Sequence, residues 1–138
     1  MTTKHTIKEV TSLIDSHWPR RDGMTKVDIR DAWPIIEVRS GWADVLYHAH
    51  HIAMDYNPDY VVHQIKEKFG GLRFYANIPA VTEVMIENLS LNVCETCGEF
   101  GSLSSRSPHG WLTTLCREHR AEDYKITDEW ERISSETS

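Results

Sequence analysis

The clearest periodicity in the chain runs from Ser40 to Tyr56, where Trp42, Val45, Leu46, Ala49, Ile52, Ala53 and Tyr56 fall on one stripe of a helix. Ser40 is placed to cap it and Pro58 lies just past its end. The opposite face collects Asp44, His48, His51 and Asp55. A preceding helix over Lys4 to Trp18 follows from Ile7, Val10, Leu13, Ile14 and Trp18, with Thr6 and Glu9 at capping-box spacing and Pro19 as its stop. Arg20 to Gly23 reads as a turn or linker. Val27 to Val38 stays ambiguous, because Pro34 interrupts a stretch otherwise able to form strand. Pro79 suits the first turn of a third helix reaching Leu89, with Val81, Val84, Met85 and Leu89 as its apolar face.

Between the second and third helices, Asp59 to Asn77 carries two apolar runs around Gly70 and Gly71. Val61, Ile65 and Phe69 can share one side of a first strand, and Leu72, Phe74 and Ala76 one side of a second, which predicts a hairpin near Tyr60 to Asn77. The other reading has Asp59 capping a short helix through Val62, Ile65 and Phe69, with Gly70 as its stop. The hairpin is preferred, so the fold class is α+β, helices packed with a β-hairpin.

The C-terminal third has a different grammar. Cys94 and Cys97 form one pair, Cys116 and His119 another, and together they use all three cysteines of the chain. Thiolate and imidazole ligands so spaced converge on one tetrahedral zinc ion, and Gly98 permits the tight turn of a zinc knuckle. Gly101 to Arg106 and Trp111 to Leu115 can form a hairpin across Ser107 to Gly110, and a helix is expected over Arg117 to Lys125. Knuckle, hairpin and helix resemble a treble-clef zinc finger. With four protein ligands the single Zn2+ is structural rather than catalytic. The expected organisation is an α+β region over 1–90, a zinc-finger region over 91–133 packed on it, and a flexible tail over 134–138, since no Gly/Ser-rich linker intervenes.

Several motifs together carry a resemblance: Gly41-Trp42 ahead of a helix, the run QIKEKFGGLRFY from Gln64 to Tyr75, the CxxCG of Cys94 to Gly98, Gly110-Trp111, and the LCxxH of Leu115 to His119. From about Gly41 to His119 the chain resembles a family of small, uncharacterised phage and prophage zinc proteins. The resemblance implies zinc at the four named positions and a phage or bacterial setting, and it implies no activity.

Composition then narrows the classes. At 138 residues the chain has the size of one domain, able to bury roughly two thirds of its unfolded surface without disulfides. The odd cysteine count and the absence of a signal-peptide pattern predict a reducing cytoplasm, the host's if the protein is phage-encoded. No apolar run nears the ~20 residues that cross a bilayer, so no membrane association is expected. A net charge of −6 disfavours phosphate-driven binding of nucleic acid. Lys66, Lys68, Arg73 and Tyr75 still form a basic, aromatic segment that offers an alternative nucleic-acid interface.

Catalysis finds no constellation. An HNH-type nuclease would need a suitably placed histidine or asparagine on the expected helix to join His109, and Arg120, Glu122, Asp123 and Tyr124 occur there instead. His48, His51 and Asp55 are helical neighbours that suit ordinary surface pairs better than a second metal. What remains is a non-enzymatic, zinc-stabilised binding protein whose partner is a host protein, possible inhibition of that protein included. Trp33, Trp111 and Trp130 are its candidate contact anchors.

Overall fold

The computed structural model describes residues 4–19 and 36–137. The turn expected at Arg20 to Gly23, the ambiguous stretch as far as residue 35, and Trp33 lie outside the described residues. Among those described, the order is helix α1 (Ile7–Ile14), helix α2 (Ala43–Tyr56), strands β1 (Val62–Lys68) and β2 (Gly71–Ala76), and helix α3 (Ala80–Ser90). Strands β3 (Ser102–Ser105), β4 (Thr113–Leu115) and β5 (Lys125–Ile126) follow, and helix α4 (Thr127–Thr137) ends the chain. The α+β class holds, and no described helix is long and apolar enough to cross a membrane.

Thr6 caps α1 by accepting the backbone N–H of Glu9 at 3.1 Å, as the capping-box spacing predicts. A 3-10 turn, Asp15–His17, prolongs it almost to the expected end at Trp18. Val10 and Ile14 are fully buried against α2. Ser40 does not cap α2. It opens a 3-10 turn, Ser40–Trp42, and its carbonyl accepts the N–H of Ala43. Asp44 instead turns its carboxylate back to the backbone N–H groups of Lys4 and His5 at 2.9–3.0 Å, tying the entry of α1 to the start of α2. The predicted stripe of α2 is buried at Trp42, Val45, Leu46, Ala49 and Ala53 and partly buried at Ile52, but Tyr56 at its end is 59% exposed.

Asp59 to Asn77 is the hairpin, with Ile65 opposite Phe74 and Lys66 opposite Arg73. Its inward side differs from the expected Val61, Ile65 and Phe69. A register irregularity between Val62 and Gln64 turns Val62 inward beside Ile65, and Phe69 leaves the strand for the turn. Phe69 and Gly70, both with positive φ (55° and 79°), form a two-residue turn of the type that matches strand twist. Phe69 is therefore 62% exposed.

The third helix packs by a face the periodicity did not select. Ile86 and Ser90 are buried, whereas Val81, Val84, Met85 and Leu89 are 45–76% exposed. The cause lies in β2. A Cβ at Gly71 would meet Glu87 Cγ at 3.1 Å, so the missing side chain lets α3 approach the hairpin along its Glu87 and Ser90 side. There Ser90 Oγ accepts the N–H of Leu72 at 2.8 Å and Glu87 pairs with Arg73 at 3.2 Å. The broader apolar stripe is rotated outward.

In the C-terminal part, β3 pairs with β4 and also with β5, all antiparallel. The helix expected over Arg117 to Lys125 is absent. Cys116 to Arg120 makes a single turn, the N–H groups of His119 and Arg120 donating to the Cys116 carbonyl, and the chain then delivers Lys125 and Ile126 to the edge of β3. Pairing with β3 satisfies backbone groups that a helix would have used, and the helix starts only at Thr127. That helix carries none of the four positions Cys94, Cys97, Cys116 and His119, and a treble-clef arrangement is not confirmed. The backbone of 134–137, expected as tail, continues α4.

Two apolar clusters result. The larger unites α1, α2, the hairpin and Ile86 of α3; the smaller consists of Cys94, Leu115 and Cys116, with Cys97 and Tyr124 against it. They are sewn together closely. Gly41 N–H donates to the Glu95 carbonyl at 2.8 Å, Trp42 Nε1 to the Val93 carbonyl at 2.8 Å, and Thr114 Oγ1 to the Gly70 carbonyl at 2.7 Å.

Candidate metal centre

Cys94 enters the knuckle from a turn after α3, and its carbonyl accepts the N–H of Gly98 at 2.9 Å. Gly98 makes this possible with φ of 84°, a left-handed conformation that costs glycine little. Cys116 follows β4 directly, and the single turn after it returns His119 to the same point. The three sulfurs and the His119 nitrogen all lie within 4.8 Å of one another. Cys97 Sγ and Cys116 Sγ are 3.7 Å apart, and His119 Nδ1 is 3.7 Å from Cys94 Sγ and 3.1 Å from Cys116 Sγ. A tetrahedral ion with metal–sulfur bonds of about 2.3 Å sets its sulfurs about 3.8 Å apart, so the cluster fits one such ion. The Cys3His group can hold a metal.

The surroundings favour thiolate at one corner. Burial opposes the charge on Cys94, but backbone N–H groups of Cys116, Cys97 and Thr96 directed at its sulfur outweigh that and bring the thiol down to about 7. Cys97 goes the other way. Burial, then the neighbouring sulfurs of Cys116 and Cys94, push it up to about 12, because without a cation adjacent sulfurs cannot all carry charge. A divalent cation reverses that balance. Cys94 and Cys116 are buried, whereas His119 lies at the surface.

Glu95, between the two knuckle cysteines, carries no signal in the sequence beyond its place there. It is 3% exposed, and its Oε2 accepts both Thr113 Oγ1 at 2.7 Å and the Thr114 N–H at 2.9 Å. Burial raises its carboxyl, and these two donors pull against the shift. The residue thereby locks the knuckle onto β4.

The other residues singled out by sequence are dispersed. Arg73 is engaged by Glu87 and is only partly accessible; Lys66 lies across the ladder from it. Lys68 is exposed, with its ammonium 5.5 Å from the Phe69 ring, and Tyr75 pairs with Gln64. Trp111 is 79% exposed on the loop before β4. Trp130 is half-buried, its Nε1 donating to the Ser105 carbonyl at 3.0 Å. On α2, Asp44 is committed to the backbone of residues 4 and 5, and His51 meets the rings of Tyr47 and His50. Among the described residues the Cys3His cluster is the one group of three or more such side chains with metal-holding geometry, so His48, His51 and Asp55 do not assemble a second.

No protein-family model, no curated protein and no solved structure matches this chain, and the reading of the centre rests on its own residues.

Proposed function

We propose that this chain is a non-enzymatic binding protein in which one zinc ion, held by Cys94, Cys97, Cys116 and His119, fixes a surface that docks on another protein. If the phage setting implied by the family resemblance holds, that partner is a host protein, and occupying it would inhibit it. The observation that carries this reading is the exposure of Phe69 and Trp111, 62% and 79%, which line one groove together. Large aromatic side chains left in water along a concave, mainly apolar surface are what interface anchors look like before the partner arrives. Phe69 is displayed by the tight turn of the hairpin and Trp111 by the loop into β4, so the metal lobe sets the spacing between them.

Binding of nucleic acid through Lys66, Lys68 and Tyr75 is the alternative, and it is weakened because Arg73 already neutralises Glu87. Affinity capture from host lysate with zinc in the buffers, with and without nuclease, separates the two. Capture of a specific protein that survives nuclease and falls at least about tenfold with Phe69→Ser plus Trp111→Ser supports the proposal. No specific protein, or recovery lost on nuclease treatment, overturns it.

A further inference from the structure

Helix α3 turns its apolar side to solvent. Val81, Val84, Met85 and Leu89 are 76%, 52%, 45% and 47% exposed, while Ile86 and Ser90 are buried on the other side. Positions i, i+3, i+4 and i+8 share one side of a helix, so the four side chains form a continuous stripe along the ~16 Å that the 11 residues of α3 span. Single exposed apolar residues are ordinary, but four on one stripe make a patch of the kind that marks contact surfaces. Asn88 lies on the same stripe, and Asn92, just past the helix end, donates from Nδ2 to the Asn88 carbonyl at 3.4 Å. None of these residues lines the groove of Phe69 and Trp111, so this is a separate surface.

Area and charge point to the same occupant. From these exposures the four apolar side chains leave roughly 350 Å² in water, and with Asn88 and Asn92 the strip reaches roughly 500 Å². Burying it against an equal strip would remove about 1,000 Å² in total, at the lower edge of what specific interfaces bury and enough for a weak, reversible association. The chain carries a net charge of −6, so two copies repel over much of their surface, and a basic partner would be drawn to that acidic surface rather than to a neutral strip. The strip itself bears no formal charge. At about 100° per residue, both acids of α3, Glu83 and Glu87, fall more than about 90° from its middle. Glu87 is moreover paired with Arg73 at 3.2 Å. Two copies can therefore meet here without facing like charges.

We propose that the chain forms a two-fold dimer through this strip, α3 of one copy lying antiparallel on α3 of a second. Met85 is midway between Val81 and Leu89. A two-fold axis there sets Met85 against its own counterpart and each Val81 against Leu89 of the second copy, a smaller side chain facing a larger one in both pairs. Methionine, unbranched and flexible, suits a self-contact on the axis. The inference goes beyond the binding reading above and does not rest on it. The groove of Phe69 and Trp111 takes no part in the contact, so the dimer would carry that groove twice.

The test is analytical sedimentation of the zinc-loaded full chain from about 1 µM to about 1 mM, with amide NMR shifts followed over the same range. A reversible passage from 16.0 kDa to twice that mass is expected, with a midpoint on the order of 100 µM and concentration-dependent shifts confined to residues 81–92 and their neighbours. Val84→Gln plus Met85→Gln, both at exposed positions, should raise the midpoint at least about tenfold while zinc content stays unchanged. Phe69→Ser plus Trp111→Ser should leave it where it is. Well below the midpoint the copies are apart, so the glutamine exchange leaves the folding of the single chain untouched. A 16.0 kDa species throughout, a dimer indifferent to the glutamine exchange, or one lost with Phe69→Ser plus Trp111→Ser would overturn the proposal. Capture of a different protein that depends on Val84 and Met85 while the chain stays monomeric would overturn it too, because the strip would then belong to that partner. Loss of protein capture with the groove variants alone bears on the binding reading and leaves the dimer standing.

Discussion

His50 shows how much a single residue departs from what its position in a pattern suggests. It is 5% exposed in the middle of α2, its Nδ1 is 2.6 Å from the Tyr60 hydroxyl, and His17 and His51 approach its ring edge-on at 5.3 and 5.1 Å. His17 in turn stacks on Tyr60 at 3.9 Å with its Nδ1 2.8 Å from the Tyr60 carbonyl. Burial, then the charges of His17 and His51, lowers the His50 imidazole to about 4, and burial pushes the Tyr60 phenol up. Since the folded value lies below the ordinary one near 6.5, the unfolded chain takes up a proton that the folded chain refuses between about pH 6.5 and 4. Stability contributed by neutral His50 is thus complete above that window and is lost as pH falls through it. Denaturant unfolding of the zinc-loaded protein at pH 7 and pH 4.5 should show wild type losing on the order of 2 kcal/mol more than His50→Gln over that interval. An identical loss in the two proteins would refute the assignment. Sequence reading noted His48 and His51 and passed over His50, because a histidine on an apolar stripe has no mark of its own until Tyr60 is seen opposite it.

At the scale of elements, legibility followed the number of independent signals. The first two helices and the hairpin each combined periodicity with a cap, a stop or a glycine turn, and each is present. The third helix was also found, with its faces exchanged. A 3.6-residue period says which side chains lie together, not which group faces the core, and here Gly71 and the hydroxyl of Ser90 decided for the smaller face. Replacing Val84 and Met85, 52% and 45% exposed, by Gln should therefore change the unfolding free energy by less than about 1 kcal/mol, whereas Ile86→Ala should cost about 2–4 kcal/mol. Chemical denaturation of the two variants checks this, and the reverse order would restore the face chosen by periodicity. The helix expected after Cys116 failed for a related reason. Residues 121–124 look helical in isolation, but β3 has an open edge, and pairing Ser104 with Ile126 and Ser105 with Lys125 claims the chain first.

For the molecule as a whole, the metal centre and the larger core depend on one joint. A Cβ at Gly41 would lie 2.3 Å from the Cys94 carbonyl oxygen, so the start of α2 is pressed directly on the knuckle, and Glu95 connects that knuckle to β4. Metal binding to such a site contributes on the order of 10 kcal/mol to the order of the ligand-bearing segment. Chelation, or Cys97→Ser, is expected to abolish amide protection at Cys94, Gly98, Thr114 and Leu115 in hydrogen exchange, while amides of α2 around Leu46 and Ala49 keep most of theirs. Metal analysis should return one zinc per chain. Correctly folded protein without metal, or exchange unchanged by chelation, would count against a structural ion. The sequence by itself determined the ligand set, because paired spacing brings two donors together locally whatever the rest of the fold does. It likewise determined the helices and the hairpin, whose patterns are properties of neighbouring residues. Only tertiary structure decided which face of α3 is buried, that β5 replaces a helix, and that Glu95 is buried between the knuckle and β4. Those outcomes turn on distant backbone edges, a missing side chain and the burial of single polar atoms, none of which leaves a local period to read.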